Sequence, residues 1–206
     1  MPKTKNQLWL GEIADPDYPR YANPNQPQLL IGSAKSDPKQ RIEDLNQGNF
    51  SQSKYSTFVK LHGIKPRMDL LERELKELDI ANNFKTKNEA SNARKLVKTA
   101  LLSRGYVLDP ENGAATYTTY VIDLHNKDKQ RYWVYVGETS QKPEERYNQH
   151  KRGEKANKAV RDFGVQLNYD LMKDFPKTHF KLDSLAMEKL AAQELSKRGY
   201  KVEGGR

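Results

Sequence analysis

The sequence predicts an α/β protein built from two tandem units, each a small three-stranded sheet flanked by helices. Three observations predict this: an internal repeat, β-branched and aromatic runs that alternate with helical patterns, and a turn-rich break near the middle of the 206 residues. The repeat is read first, because overlooking one misassigns a whole fold. Leu30-Ile31-Gly32 leads to Pro38, Arg41 and Gly48. Tyr135-Val136-Gly137 leads to Pro143, Arg146 and Gly153, and every pair is separated by 105 positions. Val59 to Ile64 then resembles Val160 to Val165, and Leu102 to Val107 echoes Leu195 to Tyr200, in the same order and with a falling offset. A loop insertion in the first copy accounts for that drift. The alternative is one domain with helical similarity only, although helix composition does not by itself hold Gly32 and Gly137 at one phase. The break falls at Asp109-Pro110-Glu111-Asn112-Gly113, where Pro and Asn-Gly mark a turn or linker. It divides the chain into residues 1–112 and 113–206, each of ordinary size for a small domain.

The elements of the second copy follow in order. Tyr117 to Leu124 is rich in Tyr, Thr, Val and Ile and reads as a strand. His125 to Arg131 is a polar turn, and Tyr132 to Val136 is a second strand ended by Gly137, so the two make a hairpin. Pro143 opens a helix to Lys151; proline suits the first turn, and Glu144 and Glu145 face the positive end of the helix dipole. Gly153 ends it. Asn157 to Phe163 is a short helix closed by Gly164. Leu185, Leu190, Ala191 and Leu195 form an apolar stripe on a helix from Ser184 to Arg198, and Tyr200 to Val202 is a short final strand. The first copy has strands at Leu8–Ile13 and Leu29–Ile31 and a helix at Pro38–Asn46. It adds a charged helix at Met68–Leu78, a long helix at Glu89–Ser103 and a longer loop from Asp15 to Gln28.

Composition narrows the function. Hydrophobic residues make up 35% and charged residues 31%, and no stretch approaches the roughly 18–20 apolar residues that span a bilayer. The polar start Met-Pro-Lys-Thr-Lys has no apolar run behind it, so neither a secretory signal nor a membrane partner is expected and a cytoplasmic location is. There is no cysteine, which excludes disulfides, thiolate metal sites and cysteine nucleophiles; any metal needs oxygen or imidazole ligands. The net charge of +9 and pI near 9.5 favour polyanions, with DNA or RNA first, or else a basic surface of no function.

Thr118-Thr119-Tyr120-Val121-Ile122, then Tyr135-Val136-Gly137-Glu138-Thr139, then Arg146, His150 and Gly153, form an ordered series that resembles the GIY-YIG nuclease family. The resemblance covers about residues 116–203. It departs where Thr118-Thr119 replace Gly-Ile, and by a one-residue extension between Gly137 and Arg146. It implies two tandem GIY-YIG-like units, with a catalytic set of Tyr120, Tyr135, Arg146, His150 and Glu188, and with Glu188 as the ligand of Mg²⁺ or Mn²⁺. Glu194 is the rival for that place, depending on helix register.

The residue types suit phosphodiester hydrolysis, which needs a base for water, charge on the phosphate and help for the leaving oxygen. A tyrosine, with a pKa of about 10, is a poor base at neutral pH, and nearby positive charge favours its phenolate. Arg146 and His150 are four apart and share a helix face, and arginine offers a rigid fork for phosphate oxygens. Mg²⁺ needs few carboxylates and can polarise the phosphate. Each residue also has a plainer role: the tyrosines as strand aromatics, Arg146 as a surface cation, His150 as a helix-surface or phosphate-contacting residue, and Glu188 as the partner of a neighbouring lysine. Lys142, Lys151, Arg152, Lys155, Lys158 and Arg161 make a basic stripe, read either as salt-sensitive DNA contacts or as a solvated helix face.

The first copy lacks most of this set. Arg41 aligns with Arg146 and is a candidate DNA contact, but Leu30 stands for Tyr135, Leu45 for His150, Arg94 for Glu188, and Trp9 for Tyr120. The first unit is therefore expected to be inactive, serving DNA binding or structural support. The chain as a whole is expected to cut DNA, double-stranded first, with its oligomeric state open. The alternatives are a non-catalytic nucleic-acid-binding protein and a nuclease acting on RNA or single strands.

Overall fold

The computed structural model describes residues 5–49, 55–108, 116–125, 132–154 and 156–205. The chain divides into two compact units, Met1–Ala114 and Ala115–Arg206. The expected break at 109–113 and most of the expected turn at 125–131 lie outside the described residues.

In the first unit, β1 (Gln7–Ile13) and β2 (Gln28–Ala34) form an antiparallel hairpin. α1 (Pro38–Asn46), α2 (Ser56–His62), β3 (Ile64–Pro66), α3 (Met68–Glu77), α4 (Lys87–Ser103) and β4 (Val107–Leu108) follow. β3 adds antiparallel to β1 and β4 parallel to β2, giving the order β3-β1-β2-β4. The second unit repeats this plan with β5 (Thr118–Leu124), β6 (Trp133–Thr139), α5 (Pro143–Lys151), α6 (Lys158–Phe163), β7 (Gly164–Leu167), α7 (Tyr169–Met172), α8 (Lys181–Lys197) and β8 (Lys201–Gly204). Its sheet order is β7-β5-β6-β8.

Both sheets are thus four-stranded among the described residues, where the sequence led us to expect three strands each. The third strand expected of the first unit, to which the sequence assigns no position, is β4, and the strands missed outright are β3 and β7. They are three and four residues long, follow a helix directly, and carry mostly exposed side chains, so no apolar alternation marks them. Several boundaries also differ, three of them close to the site. β6 continues through Gly137 to Thr139, because Gly137 is extended and paired with Tyr120. α8 begins at Lys181, not Ser184. Asn157 caps α6 from outside, its side chain accepting from the Ala159 amide.

Local chemistry explains the helix that matters most for the site. Pro143 occupies the first turn of α5, Glu144 and Glu145 sit at its positive end, and His150 and Lys151 at its negative end. In α1, Asp37 plays the N-cap and accepts from the amides of Lys39 and Gln40.

Strand alternation gives each face of the second sheet its own core. Val121, Val134 and Val136 pack with Ala191 and Leu195 of α8. Tyr120, Ile122 and Leu124 face the other way, against Val160 of α6 and the partly buried Tyr135 and Tyr147. In the first unit, α3 and α4 cover Leu8, Leu10, Leu29 and Ile31. Among the described residues no helix is long and apolar enough to cross a membrane.

Candidate functional site

The site begins with a missing Cβ. Tyr120 pairs with Gly137 across the hairpin, and its ring lies directly over that glycine. A Cβ on Gly137 would stand 2.6 Å from Tyr120 Oη, 2.7 Å from Cζ and 2.9 Å from Tyr135 Cε1. No side chain fits there, so the glycine lets two tyrosines from adjacent strands meet. Their ring centroids are 6.0 Å apart.

His150, on the last turn of α5, closes over this pair and is itself buried. Its Nε2 lies 2.8 Å from Tyr120 Oη, and its Nδ1 accepts from the Asn157 amide at 3.0 Å. A backbone N–H can only donate, so Nδ1 carries no proton. The neutral ring then bears its proton on Nε2 and donates it to the tyrosine oxygen. Burial, reinforced by the nearby Arg146 charge, lowers the His150 pKa to about 4. At neutral pH His150 is therefore a hydrogen-bond donor to Tyr120 and does not accept its proton.

Tyr120 departs from the sequence expectation. Positive charge was expected to favour its phenolate. Burial instead pushes its pKa well above the usual phenol range, the neighbouring Tyr135 adds to this, and Arg146 opposes them without prevailing. Without substrate, Tyr120 is a neutral phenol. The desolvation of a buried oxyanion outweighs one half-buried guanidinium.

Arg146 lies one turn before His150, as the four-residue spacing requires, and donates to Gln149 Oε1 at 3.1 Å. It lines a cleft of about 530 Å³ together with Tyr117, Glu138, Thr139, Gln149 and Lys181. Glu138 accepts from Lys181 Nζ and from Ser184 Oγ, so it ties the end of β6 to the first turn of α8.

Glu188 lies on α8, which covers the sheet face opposite the Tyr120 ring. Its Oε1 accepts from the Gly205 amide at 3.1 Å. The preceding Gly204 lies against the Tyr135 ring, since a Cβ there would come within 3.1 Å of Cε2. Tyr135 and Glu188 thus flank the same two-residue segment. Among the described residues no three metal-binding side chains cluster, so Glu188 would hold a cation with at most one further such side chain. That donor set suits Mg²⁺, which keeps several waters and takes one or two carboxylates. The rival Glu194 pairs with Arg198 at 3.1 Å on the helix surface.

The basic stripe is partly neutralised. Arg152 pairs with Glu154 and Arg161 with Asp162, and Lys151 donates to the Gly164 carbonyl. Lys142 and Lys158 are exposed. Lys155 lies outside the described residues.

Sequence reasoning missed Glu138, Lys181 and Asn157. Lys181 and Glu138 are 43 residues apart, so no local pattern joins them. The contribution of Asn157 is a backbone amide, which side-chain identity does not reveal.

The first unit has the same frame with other side chains. Trp9 pairs with Gly32, and a Cβ on Gly32 would stand 2.3 Å from Trp9 Cζ2. Leu45 is buried at the place of His150. Tyr55, the N-cap of α2 as Asn157 is of α6, packs edge-on against Trp9 with centroids 5.6 Å apart. Where the second unit has a polar relay, the first has an aromatic stack. Comparison of the chain with protein families, with curated proteins and with solved structures gives no match.

Proposed function

We propose that the second unit is a divalent-metal-dependent endonuclease that hydrolyses DNA phosphodiester bonds. The observation that carries this reading is the buried Tyr120–His150 hydrogen bond beside Arg146, in contrast to a first unit that keeps the frame and has Trp9 and Leu45 at the matching positions. Perturbed titratable groups buried beside an arginine that lines a cleft mark a candidate functional site.

In this reading Arg146 engages the phosphate through its planar fork. Tyr120 first gives its phenolic proton to solvent; its Oη then takes a proton from the attacking water as the phosphorus–oxygen bond to the leaving group breaks, and the leaving oxygen is protonated from solvent. The Nε2–H of His150 stabilises that phenolate, and phosphate-bound Arg146 supports it from the side. Tyr135 shields the pair and, with Glu188, borders the C-terminal segment. A cation on Glu188, Mg²⁺ or Mn²⁺, would add charge for the phosphate and the leaving oxygen.

The test is cleavage of labelled double-stranded DNA, single-stranded DNA and RNA with Mg²⁺, Mn²⁺ or EDTA. Cutting of the duplex with metal, lost in Glu188→Ala and kept in Glu194→Ala, supports the proposal. Cutting of RNA or single strands alone would change the substrate. Binding without cleavage under every metal condition would overturn the catalytic reading.

A further inference from the structure

Lys181, the first residue of α8, lines the same cleft as Arg146. Three groups of the second unit make a seat for it. The Glu138 carboxylate, near the end of β6, accepts from Nζ through Oε1. Ser184 donates to Oε2 of the same carboxylate at 2.9 Å, so both oxygens of Glu138 have a donor. The buried Tyr117 ring lies under the ammonium, with 5.4 Å from Nζ to its centroid, within the range of a cation–π contact.

The first unit keeps the lysine and loses the seat. β2 precedes β6 by 105 residues, and α4 precedes the equally long α8 by 94. The isolated bridges Asn6–Phe84 and Tyr117–Thr178 fall on offsets of 111 and 94. By this register Lys181 matches Lys87, while Glu138 matches Ser33, Ser184 matches Ala90 and Tyr117 matches Asn6. All three holding groups are therefore replaced in the unit that lacks the Tyr120–His150 pair, and Lys87 is exposed. A lysine that only keeps a helix end in water needs no such support.

The seat leaves room for a ligand. An ammonium has three donors, and Glu138 takes one of them. The Lys181 side chain keeps 42% of its surface exposed and that of Glu138 only 14%, so the cation is more open to an incoming group than the acid that holds it. Glu154, the other carboxylate in the cleft wall, is paired with Arg152 at 2.8 Å. An anion entering the cleft meets Arg146 from α5 and Lys181 from α8, with both acids already engaged.

We propose that Lys181 is a second phosphate ligand of this cleft, gripping the backbone of duplex DNA together with Arg146 while Glu138 holds it in place. This rests on reading the cleft as a phosphodiester site. Each phosphate contact releases condensed counterions and contributes about 0.9 to the slope of log affinity against log salt.

The test is fluorescence anisotropy of a labelled duplex with the full chain in EDTA over a range of salt. Lys181→Ala should flatten the slope by about 0.9, so that its affinity meets that of the wild type near 1 M salt and falls about eightfold below it at 0.1 M. Lys181→Arg keeps the charge and should hold the slope. Glu138→Gln keeps an acceptor for Lys181 and removes a negative charge, so it should bind at least as tightly as the wild type. A slope lowered in Arg146→Ala but not in Lys181→Ala would overturn the proposal and spare the nuclease reading. Equal losses in Lys181→Ala and Glu138→Gln would also overturn it, because the pair would then only brace the fold. Absence of cleavage with every metal would sink the nuclease reading while leaving the slopes in EDTA to stand by themselves.

Discussion

Lowering the pH should weaken the second unit through His150. Replacing that ring with leucine, the residue at the matching position of the first unit, should abolish this response. In the unfolded chain an imidazole takes a proton near pH 6.5; in the folded protein His150 does so only at about 4. The folded pKa is depressed, so between these values the unfolded state holds more protons and stability falls as pH falls. Each pH unit is worth about 1.4 kcal/mol, so the loss begins near pH 6.5, reaches about 3 kcal/mol near pH 4 and then levels off. The cause is geometric. Nδ1 already accepts from the Asn157 amide, and the ring is buried, so a second proton must break that bond and bring a charge out of water. Urea denaturation of the wild type and His150→Leu across this range measures the effect as a difference. Carboxylates such as Asp15, whose pKa is lowered chiefly by its hydrogen bond from His62, respond alike in both proteins and cancel. Nitrogen-15 spectra at pH 6 should show a proton on Nε2 and none on Nδ1. Parallel stability curves, or a ring that titrates near 6.5 in the folded protein, would refute the reasoning.

Two further outcomes follow from the same geometry. Gly137→Ala and Gly32→Ala should each cost about 1–3 kcal/mol by chemical denaturation, because the new methyl meets the Tyr120 or Trp9 ring inside contact distance; wild-type stability in either would contradict the clearance argument. Under the nuclease reading, Arg146→Ala should slow turnover by about 10²–10³-fold, and Arg146→Lys should restore only part of it. Because Arg146 holds the Tyr120 pKa down against burial, the limb on which the rate rises with pH should also move to higher pH in Arg146→Ala, and an unmoved limb would remove Arg146 from that role.

The parts of the molecule that could be read from the sequence are those with a period or a punctuation mark. α1 and α5 run between the residues expected, because a proline opens each and a glycine follows each closely. The hairpins were legible from β-branched and aromatic runs. The alignment of Trp9 with Tyr120 agrees with the register, since both pair with the glycine of the opposite strand. β3 and β7 were not legible, because three or four mostly exposed residues carry no alternation. Within the site, the i, i+4 spacing correctly placed Arg146 and His150 on one face. The state of Tyr120 could not be read, because its pKa depends on how deeply the ring is buried. The tautomer of His150 depends on an amide seven residues away, whose direction only the folded turn determines.

The clearance at Gly137 and Gly32 separates two kinds of requirement that a triplet motif merges. The glycine answers to shape: it is needed wherever a flat ring from the neighbouring strand must lie against bare backbone, whether that ring is a phenol or an indole. The tyrosine and the histidine above it add polar atoms that the shape does not require. In this chain the two demands have come apart, with the shape kept twice and the polar atoms kept once. The difference between the two units at this point is therefore a matter of interchangeable occupants in one mould. An exchange of ring for ring at position 9 or position 120 asks nothing new of the backbone beneath it.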